Sequence, residues 1–136
     1  MDATASDWLQ VTVDGRTARV AADTTILDTA RQMGIAIPTL CNFRGLTPYG
    51  ACRVCLVEIE APRGPTLVAS CSQPVVDGLV VRTDTARVRE ARRTVIELLL
   101  AQAPDSPELA EAAAKLGVTR TPLPSADRGK CILCGL

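Results

Sequence analysis

Six cysteines are the residues in this chain best suited to chemistry, and four of them share one stretch: Cys41, Cys52, Cys55 and Cys71. Ten, two and fifteen residues separate them in turn. Four thiolates can hold a metal centre, and clusters of iron and sulfide are bound by cysteine sulfur with a close CxxC pair and ligands from elsewhere in the chain. Here the close pair is Cys52 and Cys55, in YGACRVCLVEIE, while Cys41 ends IPTLC and Cys71 lies in VASCSQPV. A 2Fe–2S rhomb needs two thiolates on each of two tetrahedral irons, and no local pair can surround it. One segment must wrap one side and a distant residue must reach the other. The run from Cys41 to Cys55 suits the first task, with Gly45, Gly50 and Ala51 leaving bare N–H groups near the sulfurs. Cys71 suits the second. Ser70, Ser72 and Thr39 stand close in sequence to ligands and could tune a potential by hydrogen bonding, although ordinary loop residues are the plainer reading.

Composition removes several alternatives. The chain has 136 residues and no histidine, which excludes a histidine base, a His-ligated Rieske centre and a His-bearing zinc site. Fifteen basic and fifteen acidic residues cancel, so no overall basic field points to nucleic acid. The start MDATASDWLQ lacks the basic and apolar regions of a secretory signal. No window is apolar for the eighteen or more residues a spanning helix needs. The expected setting is cytoplasmic, where cysteines serve as metal ligands or free thiols more often than as disulfides. No glycine-rich phosphate loop, nucleophile elbow or paired carboxylate beside a base is present, so no small-molecule substrate is expected on this chain.

The elements that must position the thiols follow from pattern. WLQVTV (8–13) and TARVA (17–21) flank Asp14-Gly15 and read as a hairpin. Asp23 or Thr24 can cap a helix through TILDTARQM, and Gly34 stops it. Residues 35–50 read as a long loop carrying Cys41, with Pro38, Gly45, Pro48 and Gly50 as breakers. Strands are expected over CLVEIE (55–60) and TLVASC (66–71), followed by short apolar runs around the second Asp-Gly, Asp77-Gly78. This is the element order of a β-grasp sheet. From Asp84 an amphipathic helix is expected to place Val88, Ala91, Val95, Leu98 and Leu99 on one face. Ser106 then caps a further helix closed by Gly117. Three parts result: a β-grasp domain over 1–83, a helical extension over 84–118, and a linker with a second CxxC pair over 119–136.

The runs IPTLC, GACRVCLVEIE, ASC and VVDGLVVRTDT together resemble the N-terminal 2Fe–2S domain of the large iron–sulfur subunit of NADH dehydrogenases. Related domains occur in iron-only and NAD-linked hydrogenases and formate dehydrogenases. The resemblance covers residues 8–103. It implies an α+β fold, a β-grasp 2Fe–2S ferredoxin followed by a C-terminal helical extension. It also implies that Cys41 and Cys52 hold one iron and Cys55 and Cys71 the other. The function implied is single-electron transfer among flavin- or iron–sulfur-containing subunits of a redox complex, at the low potential, roughly −400 mV, of plant-type ferredoxins.

The chain departs from that family after the LLL run. Where the family carries one histidine and three cysteines for a 4Fe–4S cluster, this chain reads QAPDSPELAEAAAKLG. The closing GKCILCGL resembles the start of a CxxCxxCxxxC motif, whose third cysteine would fall one residue past Leu136. Cys131 and Cys134 are thus expected to be part of a 4Fe–4S site only if the native chain continues. A zinc-stabilised or cluster-free β-grasp interaction module is the alternative for the whole. Arg82, Arg87, Arg89, Arg92 and Arg93 could dock an acidic partner, although a solvated helix face is the commoner meaning of such a run. Glu58 and Glu60 read as the wet face of a strand. Trp8, Phe43 and Tyr49 read as packing residues, the last two shielding the loop that carries the ligands.

Overall fold

The computed structural model describes residues 8–125 and residue 132. Strands β1 (Trp8–Val13) and β2 (Arg16–Ala21) form an antiparallel hairpin. Its two-residue turn is possible because Asp14 and Gly15 both take positive φ, 49° and 79°; that backbone matches the twist of the flanking strands. Helix α1 (Ile26–Gln32) follows, then the long connection to β3 (Leu56–Ile59), β4 (Thr66–Ala69) and β5 (Leu79–Arg82). The sheet order is β2-β1-β5-β3-β4. β1 and β5 are parallel at its centre, and the other neighbours are antiparallel. This is the α+β, β-grasp arrangement expected from the element order. Helices α2 (Ala86–Gln102) and α3 (Pro107–Lys115) form the C-terminal helical extension.

Two apolar cores result. In the first, Val11, Val13, Val57 and Val81 of the sheet pack on Ile26 and Leu27 of α1, with Cys55 and Cys71 among them. In the second, Val54 meets Ile96 and Leu99 of α2 and Leu109 of α3, and Cys41 and Cys52 belong here. With few aromatics, both cores are built from aliphatic side chains.

Several expectations need correction. Thr25, not Asp23 or Thr24, caps α1; its hydroxyl accepts from the Asp28 N–H at 3.2 Å. β3 and β4 are shorter than their apolar runs, so Cys55 lies just before one strand and Cys71 just after the other. Pro74–Val76 forms no strand; Pro74 makes a single bridge to Thr25. The buried face of α2 is Val88, Arg92, Ile96 and Leu99, while Leu98 is exposed. Glu58 is buried rather than wet. For Arg92 and Glu58 the reason is shared: α2 lies against β3 and covers the face that alternation alone leaves to water.

Candidate metal centre

The connection from α1 to β3 carries Cys41 and Cys52. It is tied at its start by Ile35 N–H to the Ala30 carbonyl (2.8 Å), and by Arg31 to the Asn42 side chain (3.1 Å). Near its end, Gly50 takes φ +71°, and a Cβ there would stand 2.8 Å from Ser72 Oγ. Glycine therefore lets the loop close directly against the turn that bears Cys71. Arg53, between the CxxC cysteines, also takes positive φ, 62°. That left-handed residue turns the Val54 N–H back to donate to Cys52 Sγ at 3.5 Å. Strain of this kind persists where surrounding structure enforces it.

On the sheet side, Ser70 fixes the other two thiols. Its N–H and hydroxyl both donate to the Cys55 carbonyl, at 3.3 and 2.8 Å, and its carbonyl accepts from Leu27 N–H at 3.0 Å. Ser72 donates to the Ala69 carbonyl at 3.5 Å. The two serines thus hold backbone around Cys71, whereas Val54 N–H donates to the sulfur of Cys52.

All four thiols are out of water, with 2% (Cys41), 5% (Cys52), 2% (Cys55) and 1% (Cys71) of their surface exposed. They are free thiols, Cys41 and Cys52 in one core and Cys55 and Cys71 in the other. Burial, above all, pushes the Cys52 thiol up to about 11, and the adjacent Cys41 adds to the rise against the pull of Val54 N–H. Burial likewise pushes Cys71 up to about 12, followed by Cys55 beside it and then by Cys41 and Cys52. Each thiolate therefore opposes the next, and the pairs sense one another across the site. Iron would reverse that repulsion by binding all four as thiolates. Four buried cysteine sulfurs, two from each core, match in kind and number the thiolates a 2Fe–2S group takes. The donor set fits a 2Fe–2S group.

The surroundings differ from expectation in three ways. Trp8, Phe43 and Tyr49 are exposed and do not cover the thiols; Val54, Ile96 and Leu99 close the Cys41–Cys52 side instead. Four of the five arginines face carboxylates: Arg82 meets Glu60, Arg87 meets Glu58 at 3.9 Å, Arg89 meets Asp84 at 3.1 Å and Arg93 meets Glu97 at 3.0 Å. They form a solvated, largely neutralised face. The fifth, Arg92, is buried and donates from Nε to the Leu56 carbonyl at 2.9 Å. In the sequence Arg92 shares one helix face with Val88 and Ile96 at steps of four, but a charged residue there is buried only because α2 docks on β3. Cys131 and Cys134 lie outside the described residues. Ile132, between them, packs on the core that contains Cys41 and Cys52.

Comparison with known proteins agrees with this geometry. A family model described as the 2Fe-2S iron-sulfur cluster binding domain matches residues 6–86, more than half of the chain. The chain belongs to that family. Among proteins similar to this 2Fe–2S domain is the NADPH-Fe(3+) oxidoreductase subunit alpha of Geobacter sulfurreducens, 37% identical over 93% of this chain and 18% of that protein. The NADP-reducing hydrogenase subunit HndD of Solidesulfovibrio fructosivorans is also 37% identical, over 93% of this chain and 26% of its own length. The mitochondrial NADH-ubiquinone oxidoreductase 78 kDa subunit of Candida albicans is 44% identical over 71% of this chain and 13% of that protein. The chain spans about a quarter or less of these relatives. A crystal structure of an NAD+-reducing [NiFe]-hydrogenase in the H2-reduced state superposes with a TM-score of 0.79 at 27% identity, over 94% of this chain and 63% of that one. No helix among the described residues is long and apolar enough to cross a membrane.

Proposed function

We propose that the 2Fe–2S domain carries single electrons between flavin- or iron–sulfur-containing subunits of a cytoplasmic oxidoreductase complex. Cys41 and Cys52 hold one iron, and Cys55 and Cys71 the other. The observation that carries this reading is the burial of all four thiols, two in each of the adjoining cores. When bound, the cluster supplies reversible one-electron chemistry. The chain's own residues exclude water from it, hold its sulfurs at fixed positions and supply the Val54 N–H to Cys52. Relatives named as subunits of NADPH-, hydrogen- and NADH-linked oxidoreductases support a redox complex as the setting. Cys131 and Cys134 belong, on this reading, to a further iron–sulfur motif in a longer chain.

Protein purified without oxygen should be red-brown, contain iron and acid-labile sulfide in equal amounts, and give an electron paramagnetic resonance signal after one-electron reduction. Cys52→Ser should lose most of the iron and sulfide together. A colourless wild-type protein that carries zinc, or neither metal nor sulfide, overturns the reading in favour of a structural module.

A further inference from the structure

Arg92 is 6% exposed, and its Nη2 finds no partner among the described residues. A buried, under-bonded guanidinium is costly unless an anion compensates it. Its Nε has a clear task. In β3 the carbonyls of Cys55 and Glu58 turn to opposite edges of the strand. Cys55 accepts from Ser70 on the β4 side, whereas Glu58 and Glu60 pair toward β5. By alternation the Leu56 carbonyl also turns toward β5. β5, however, ends at Arg82, opposite Glu58, and cannot reach it. Arg92 supplies the missing donor at 2.9 Å, one peptide unit from Cys55.

The remaining charge must be felt elsewhere. Burial pulls the Arg92 guanidinium below its ordinary value, and Asp84, Cys55 and Asp14 partly offset that. Asp84 is exposed and meets Arg89 at 3.1 Å. The Asp14 carboxylate accepts from Thr83 N–H at 2.7 Å and from the Thr83 hydroxyl. Cys55 is the buried one, where water does not screen the interaction.

We propose that Arg92 is a positioning residue with a fixed internal charge: it locks the Cys55 strand through Nε and raises the reduction potential of the centre. This rests on the 2Fe–2S reading above. One electron arrives from a reduced flavin or iron–sulfur donor, no proton moves, and the thiolate-bound centre gains one negative charge. Arg92 stays protonated throughout and favours the reduced form.

Gln and Lys at this position separate the two roles. Glutamine puts its amide nitrogen the same number of bonds from the backbone as Nε, so Arg92→Gln can keep a donor to Leu56 but removes the charge. Arg92→Lys keeps the charge and loses that donor geometry. In dithionite titrations of the cluster-loaded protein, Arg92→Gln should weaken reduction about tenfold, which is ~59 mV for one electron. Arg92→Lys should restore most of it, the surface variant Arg93→Gln should match wild type, and added salt should leave the Arg92→Gln shift in place. A wild-type midpoint in Arg92→Gln with full iron and sulfide overturns the proposal. So does failure of both Arg92 variants to retain iron, which would make Arg92 a folding residue alone. Absence of iron and sulfide from the wild-type protein instead brings down the reading of the centre itself.

Discussion

The two halves of the thiol site are built in different ways. Cys55 and Cys71 flank the ends of β3 and β4 and belong to the sheet core, where ladder hydrogen bonds and Ser70 hold them. Cys41 and Cys52 sit on a connection with no strand or helix of its own, and their packing partners come largely from α2 and α3. One half is organised by the sheet and the other by the helical extension. The extension is therefore part of the site's construction. On the proposed ligand set, a bound cluster would stitch the two cores together.

Matched core deletions break this division most strongly. Leu109→Ala, in the helical core, should cost about 2–5 kcal/mol and also reduce iron retained per chain, because it loosens the Cys41–Cys52 side. Val20→Ala lies on β2, the sheet edge remote from β3 and β4. It should cost about 2 kcal/mol and leave iron content at the wild-type level. Thermal melting with iron analysis checks both, and equal iron loss in the two variants would erase the distinction.

Gly50→Ala probes where the loop meets the sheet. The added Cβ meets Ser72 Oγ in a backbone conformation that side chains rarely adopt, so a loss of about 1–3 kcal/mol is expected. Gly45→Ala has the same kind of φ and nothing within 4 Å, and should cost less. Adding Ser72→Ala to Gly50→Ala should recover part of the difference, as read by denaturant midpoints. Thr85→Ala should have the smallest effect, about 1 kcal/mol. The Thr85 hydroxyl caps α2 by accepting from Val88 N–H at 3.1 Å. Its loss should lower the melting point while the thiol pairs keep their iron.

The proposed ligand set draws on residue identity and spacing alone: a CxxC pair, two lone cysteines and no histidine. The hairpin was legible because Asp14-Gly15 is a local turn signal, and Ser106 and Gly117 mark the limits of α3 for equally local reasons. Glu58 and Arg92 were not. Polar residues on a strand or helix read as solvated until something covers them, and only the docking of α2 on β3 decides that these two are buried. Phe43 and Tyr49 misled in the opposite sense, since an aromatic in a ligand-bearing loop is placed by its neighbours and here finds no cover. Short-range pattern thus determined the candidate donors and most of the elements. Which core holds each cysteine and which charge lies inside were left to tertiary contacts between residues distant in the chain, because burial and electrostatics depend on what arrives from elsewhere.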